Sequence, residues 1–240
     1  MGLEGIHTGS RTPLSRDPAM GAEPSQSRDP ALSYVPRTFY EKVGKRLFDF
    51  AVALGATLLL SPLMLLIVVA IRLDSPGPIL YVSTRLGRRA RPFRFLKFRS
   101  MRAGADRMKD QLAHLNEMDG PVFKIRDDPR VTRVGRILRK TSLDELPQLF
   151  SVLRGEMSLV GPRPPIPAEV EEYELWQRRR LSVTPGVTCL WQVSGRNQIG
   201  FSEWMRLDME YIDHLSFGLD LRILLLTVPA VIRGGRGGAS

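Results

Sequence analysis

The 240-residue chain carries 35 Lys and Arg against 25 Asp and Glu, a net charge of +10. That balance points to anionic partners: phosphorylated small molecules, nucleic acid or an acidic lipid surface. A single cysteine, Cys189, excludes an intrachain disulfide and fits a reducing, cytoplasmic side, while His7, His114 and His214 are too scattered to suggest a zinc site or a histidine-based triad.

Residues 1–36 are rich in Gly, Ser, Pro and Arg and poor in large apolar groups, which predicts a disordered tail. They contain no signal-peptide pattern, and Ile6 stands where myristoylation of Gly2 would need Ser or Thr. Residues 37–73 follow as a membrane segment. From Phe50 to Ile71 there is no charge, roughly the length that crosses a bilayer as a helix. Ser61-Pro62 sits near its middle, where proline removes a backbone donor and bends or breaks a helix. The flanks are positive on both sides: Lys42, Lys45 and Arg46 before, Arg72, Arg85, Arg88, Arg89 and Arg91 after. A spanning helix should show charge asymmetry, whereas a re-entrant one keeps both ends on the cytoplasmic side. On the residues alone both readings stand.

Residues 74–240 form the rest of the chain. "RLGRRARPFRFLKFRSM" predicts a turn at Gly87, a basic loop and a strand from about Pro92 to Arg99, with Lys97 and Arg99 on one face. A polar helical stretch is expected over Asp106–Met118. "RILRKTSLDELPQLFSVL" then predicts two short helices broken at Thr141-Ser142. Ser142 and Glu145 match a capping box, and Pro147 is acceptable only near a helix start. Asp144 and Glu145 are adjacent carboxylates among Arg133, Arg136, Arg139, Lys140, Arg154 and Arg163. Complementing a helix dipole and catalysis are both open to them. Further on, Met205, Asp208 and Tyr211-Ile212 lie at helical spacing, and Leu219–Ile232 suggests an interfacial or core helix too short to span.

Taken together, "KRLFDF…SP", "SPGPILY", "FRFLKFRSM", "DPRVTRVGRILRKTSLDELPQLF", "RGEMSLVGPRP", "PGVTCLWQVSGRN" and "LDMEYI…SFGLDLRILLLTV" resemble, in order and spacing, the bacterial sugar transferases. These are monotopic polyprenyl-phosphate phosphoglycosyltransferases. The similarity runs from about Lys45 to Val231 and is to the small, exopolysaccharide-type members. It implies an α+β, helix-rich fold, with a re-entrant membrane helix broken at Ser61-Pro62 and interfacial amphipathic helices. Residues 74–240 would then be a cytoplasmic catalytic domain lying on the membrane. The implied reaction moves a sugar-1-phosphate from a UDP-sugar to polyprenyl phosphate, such as undecaprenyl phosphate, and releases UMP. It would initiate exopolysaccharide, O-antigen or glycan assembly at the cytoplasmic face of the bacterial inner membrane, among membrane phospholipids. The resemblance leaves homo-oligomerisation open and implies no nucleic-acid partner.

Within that resemblance Asp144 matches the nucleophile that carries a covalent phosphosugar, and Glu145 its neighbour that helps bind Mg2+. Arg163 in "GPRP" matches a phosphate-holding arginine, Lys97 the strand lysine, and Asp208 in "RLDMEY" another acid of the site. Glu156, Arg196 and Asn197 are candidate supporting groups without assigned roles. The chemistry is consistent: a diphosphate becomes an electrophile once cations offset its charge, and a carboxylate is then a sufficient nucleophile. Two positions depart from the pattern: Ser83 stands where Gln is common, and Cys189 where Gly is usual, so a tight backbone path there is in question. A basic scaffold would give no reason for a carboxylate pair inside a cationic site. A glycosyltransferase releasing UDP should carry a DxD-type motif, and none is seen.

Overall fold

The computed structural model describes residues 32, 34–36, 38–108, 110–117, 120–123, 125, 127–195 and 199–234. Nearly all of the predicted tail, together with Arg196 and Asn197, lies outside them.

A π-helical turn at Tyr40–Gly44 runs into helix α1, Lys45–Asp74. Its 30 residues, at about 1.5 Å each, reach about 45 Å. The sequence predicted a break at Ser61-Pro62, but α1 is helical straight through it. Pro62 has no N–H to offer the Leu58 carbonyl, and the Ser61 hydroxyl donates to that same carbonyl at 2.8 Å. The freed acceptor is thereby satisfied locally, as an apolar surrounding requires. One side of α1 is packed, with Ala53, Ile67 and Ile71 buried; Leu47, Leu58, Leu59, Leu65 and Leu66 are exposed. Among the described residues this is the one helix long and apolar enough to cross a membrane.

Both ends of α1 are fastened to the same body. At the start, Lys45 pairs with the buried Asp220 at 2.6 Å, and Tyr40 and Tyr211 donate to the two oxygens of that carboxylate. Arg46 donates to the Val152 and Leu153 carbonyls, and Asp49 accepts from the Leu159 N–H at 3.1 Å. At the far end Asp74 accepts from the Val134 N–H at 3.2 Å, and Arg99 donates to the Ser75 and Pro76 carbonyls.

Strands β1 (Leu80–Leu86) and β2 (Pro92–Phe98) form an antiparallel hairpin in which Tyr81 faces Lys97 and Ser83 faces Phe95. Because β2 stops at Phe98, Arg99 does not continue the face of Lys97 as expected; it is buried, and its guanidinium is spent on the two carbonyls leaving α1. The polar helical stretch that follows is made of two 3-10 turns, Ala105–Met108 and Asp110–Leu115; Met118 lies outside the described residues. Helix α2 (Arg133–Thr141) is N-capped by Thr132, whose hydroxyl accepts from the Gly135 N–H at 3.0 Å. It ends at Ser142, and α3 (Gln148–Arg154) leads to β3 (Ser158–Val160).

After α4 (Pro167–Glu171), α5 (Leu175–Arg178) and a 3-10 turn at Arg179–Ser182, β4 (Gly186–Thr188) pairs in parallel with β3. Helices α6 (Leu190–Ser194), α7 (Phe201–Asp213) and α8 (Phe217–Gly234) complete the chain. The main core joins Ala53 of α1, Phe95 of β2, Val152 of α3, Val160 of β3, Ile212 of α7 and Ile223 of α8. A second cluster packs Ile67 and Ile71 against Phe98 and Leu138. The architecture is helix-rich with few strands, compatible with a monotopic membrane protein. Helix α8 packs into the core through Ile223, while Leu225 and Val228 are exposed.

Candidate active site

The carboxylate pair lies between α2 and α3, and its local geometry differs from the capped helix expected. Ser142 adopts a left-handed conformation (φ 55°) that stops α2, and its side chain makes no capping bond. The turn that follows, Leu143–Glu145, is 3-10. A 3-10 turn has about three residues per revolution, so neighbours diverge by about 120°. Leu143 and Leu146 pack against the second core cluster, which fixes the turn, with Asp144 buried and Glu145 half-buried. Pro147 serves as the N-cap of α3, consistent with its exclusion from helix interiors.

Lys97 from β2 joins the pair. Its ammonium lies 2.7 Å from the Glu145 carboxylate and 3.7 Å from Asp144. Arg163, from the loop after β3, comes within 3.9 Å of Glu145. That loop hugs the chain before β4 so tightly that a Cβ on Gly161 would sit 2.5 Å from the Thr184 carbonyl oxygen. Lys97, Asp144, Glu145 and Arg163, predicted from separate motifs, are therefore brought to one place.

The electrostatics favour an added anion. Burial raises the Asp144 carboxyl to about 6, and Glu145 pushes the same way, while Lys97 and Arg139 oppose the rise. Arg85 on β1 is lowered to about 10 by burial and then by the like charge of Arg163. Two guanidiniums held close enough to repel in a shielded place would be relieved by phosphate oxygens. Arg139 is also lowered by burial, with Asp144 pulling it back up. Arg85 and Arg139 had no assigned part in the sequence reading. Their signal was present, since Arg139 ends α2 just before the dyad, but it was hidden among neighbouring basic residues.

Asp208 is placed differently from the expectation. It is buried on α7 and pairs at 2.7 Å with Arg180, itself 2 % exposed, and not with the dyad. Arg180 donates to the Tyr173 hydroxyl at 2.7 Å and to the Arg163 carbonyl at 2.9 Å, and lies over the Trp204 ring. Asp208 therefore acts behind the site, neutralising the buried arginine that holds the backbone of Arg163. Glu156 sits beyond the far end of α3 and pairs with Arg154. Cys189 has φ −150°, an extended conformation open to any residue, so the missing glycine imposes no backbone strain. Its thiol is buried, which pushes its pKa well up.

Among the described residues no group of three or more His, Cys, Asp or Glu could enclose a metal. Mg2+, however, commonly takes one or two protein carboxylates and completes its shell with water and substrate phosphates. The Asp144–Glu145 pair fits that requirement.

The family description "Bacterial sugar transferase" matches residues 40–234. The chain is 47% identical over 193 residues to the galactosyl transferase CpsE of Streptococcus agalactiae, covering 80% of this chain and 43% of that protein. It is 42% identical over 193 residues to the exopolysaccharide production protein ExoY of Rhizobium meliloti, covering 79% and 85%. The undecaprenyl-phosphate galactose phosphotransferase of Salmonella typhimurium is 41% identical over 196 residues, covering 79% and 40%. The chain thus spans less than half of two of these relatives and most of the third. With a match that takes in the apolar helix, the carboxylate dyad and the cations around it, the chain belongs to the bacterial sugar transferase family.

Proposed function

We propose that the protein transfers a sugar-1-phosphate from a UDP-sugar to a polyprenyl phosphate such as undecaprenyl phosphate, with Asp144 as nucleophile. The observation that carries this reading is a carboxylate dyad, Asp144 buried and Glu145 half-buried, with Lys97 and Arg163 within 3.9 Å and the charge of Arg139 acting on Asp144. In the first step an oxygen of ionised Asp144 bonds to the sugar-bearing phosphorus. The bond from that phosphorus to the bridging oxygen breaks, and UMP leaves with the bridging oxygen and its electron pair. In the second step a phosphate oxygen of the polyprenyl phosphate attacks the same phosphorus and Asp144 departs as carboxylate. The product is a polyprenyl diphosphate sugar.

Lys97 and Arg163 hold the phosphoryl oxygens as charge shifts between the attacking and leaving groups. Arg180, neutralised by Asp208, fixes the carbonyl of Arg163 and so its approach. Mg2+, held by Glu145, would offset diphosphate charge. The supporting residues reach the site from β2, α2 and the loop after β3, and this convergence keeps Asp144 shielded from bulk water.

The reaction belongs at the cytoplasmic face of the inner membrane, initiating exopolysaccharide, O-antigen or glycan synthesis, with α1 entering the bilayer and returning. Support for a return comes from the bonds that fasten both ends of α1 to one body, which would have to lie on both sides of the bilayer if α1 crossed it. The test is UMP release with a panel of UDP-sugars and undecaprenyl phosphate in detergent, followed by intact-protein mass spectrometry. A sugar-phosphate adduct is expected on the wild type and not on Asp144→Asn. Release of UDP in place of UMP, or an adduct surviving in the variant, refutes the assignment.

A further inference from the structure

A cleft of about 500 Å3 opens at the turn of the β1–β2 hairpin, lined by Arg88, Arg89 and Arg91 on one side and Arg154, Gly155 and Glu156 on the other. It is separate from the dyad. Arg154 is the last residue of α3, whereas Asp144 precedes its start at Gln148, itself about 9 Å from Arg154 at helical rise; Arg91, just before β2, is six residues from Lys97, about 20 Å in a strand. Glu156, at 3.0 Å from Arg154, is the one carboxylate among the described residues that line the cleft. The other arginines are gathered against their own repulsion: the Arg88 pKa is lowered by burial and then by Arg89. Arg89 and Ala90 both take left-handed backbone conformations, φ 58° and 55°, which non-glycine residues adopt only where the surroundings hold them. Arg88 is also tied to the Ser182 carbonyl.

The position of the cleft identifies its occupant. Gly155 lies under Arg46, whose guanidinium carbon would be 3.3 Å from a Cβ there. Arg46 stands at the start of α1, where Val43, Leu47 and Phe50 are exposed, so the cleft opens beside the level at which the apolar helix begins. We infer that this arginine cleft binds the phosphate headgroup of an anionic membrane phospholipid, at a site distinct from the one that takes the substrates. A headgroup arriving there brings its own acyl chains to the exposed apolar face of α1. A soluble phosphate would gain only the ionic part of that contact. The inference rests on the proposed seat of α1 in the membrane but not on the reaction at Asp144.

The experiment places the full chain in phosphatidylcholine vesicles containing trace spin-labelled phosphatidylglycerol or spin-labelled phosphatidylcholine. The motionally restricted fraction of each label is then read by electron paramagnetic resonance. A basic residue near an anionic surface contributes up to about fivefold in lipid affinity. The wild type should prefer phosphatidylglycerol roughly fivefold or more, and Arg89→Gln/Arg91→Gln should lose most of that preference. The charge-keeping Arg89→Lys/Arg91→Lys, which controls for folding, should retain it. UMP release by the Gln variant in pure phosphatidylcholine should match the wild type. No preference in the wild type, or one unchanged in the Gln variant, overturns the proposal. Loss of UMP release in that variant also overturns it, because the cleft would then serve the substrates. The lipid readout needs no turnover, so an inactive Asp144 reaction leaves it intact, whereas failure to enter vesicles refutes the membrane seat itself.

Discussion

Replacing Asp144 by Asn should stabilise the protein at neutral pH while abolishing its chemistry. Burial raises this carboxyl from 3.8 to about 6, a gap worth about 3 kcal/mol. The sign follows from proton binding. Between 3.8 and 6 the folded state holds a proton that the unfolded chain has lost, so this group's contribution to stability falls as pH rises through that window. Above about pH 6 the folded protein carries the full penalty of a buried anion. Asn has the same shape and no charge; Lys97 keeps its partner Glu145 at 2.7 Å, and Arg139, which loses the attraction of Asp144, keeps that of Asp128. An increase of up to about 3 kcal/mol corresponds to a rise of about 6–12 °C in apparent Tm for a chain of this size. Tryptophan-fluorescence melts in detergent would measure it at about pH 7.5 and at about pH 4, where the Asn advantage should nearly vanish. A Tm unchanged or lowered at pH 7.5, or a gain equal at both pH values, would refute the reasoning.

Three other outcomes follow from the same geometry. UMP release should rise with pH through about 6 as Asp144 ionises, and a flat profile from pH 5 to 8 under chemistry-limited conditions would remove Asp144 as nucleophile. Gly135→Ala should destabilise by about 3 kcal/mol or more, because its Cβ would fall 1.9 Å from the Ser100 carbonyl oxygen; an unaltered melt would contradict that close approach. Single cysteines at the exposed Val35 and Thr84, in a Cys189→Ala background, should both resist an impermeant reagent in intact cells. Labelling at Val35 alone would show α1 crossing the membrane.

What the sequence determined by itself was local. The uncharged run Phe50–Ile71 reads as a membrane helix because hydrophobicity is a property of the segment, and the helix is there. The β2 strand and the stop at Ser142 were equally legible, since alternation and a helix interruption act over a few residues. Tertiary structure decided the rest. Ser61 repairs the gap left by Pro62, so a residue pair that signals a break instead sits inside a continuous helix. Packing of Leu143 and Leu146 turns a sequence that spells a capping box into a 3-10 turn with a buried Asp144. Arg180, unremarkable in a basic run, becomes the fully enclosed partner of Asp208 and the holder of Arg163. Neither periodicity nor composition carries that information, because the energy of a buried ion pair depends on which distant residue meets it and on how completely water is removed.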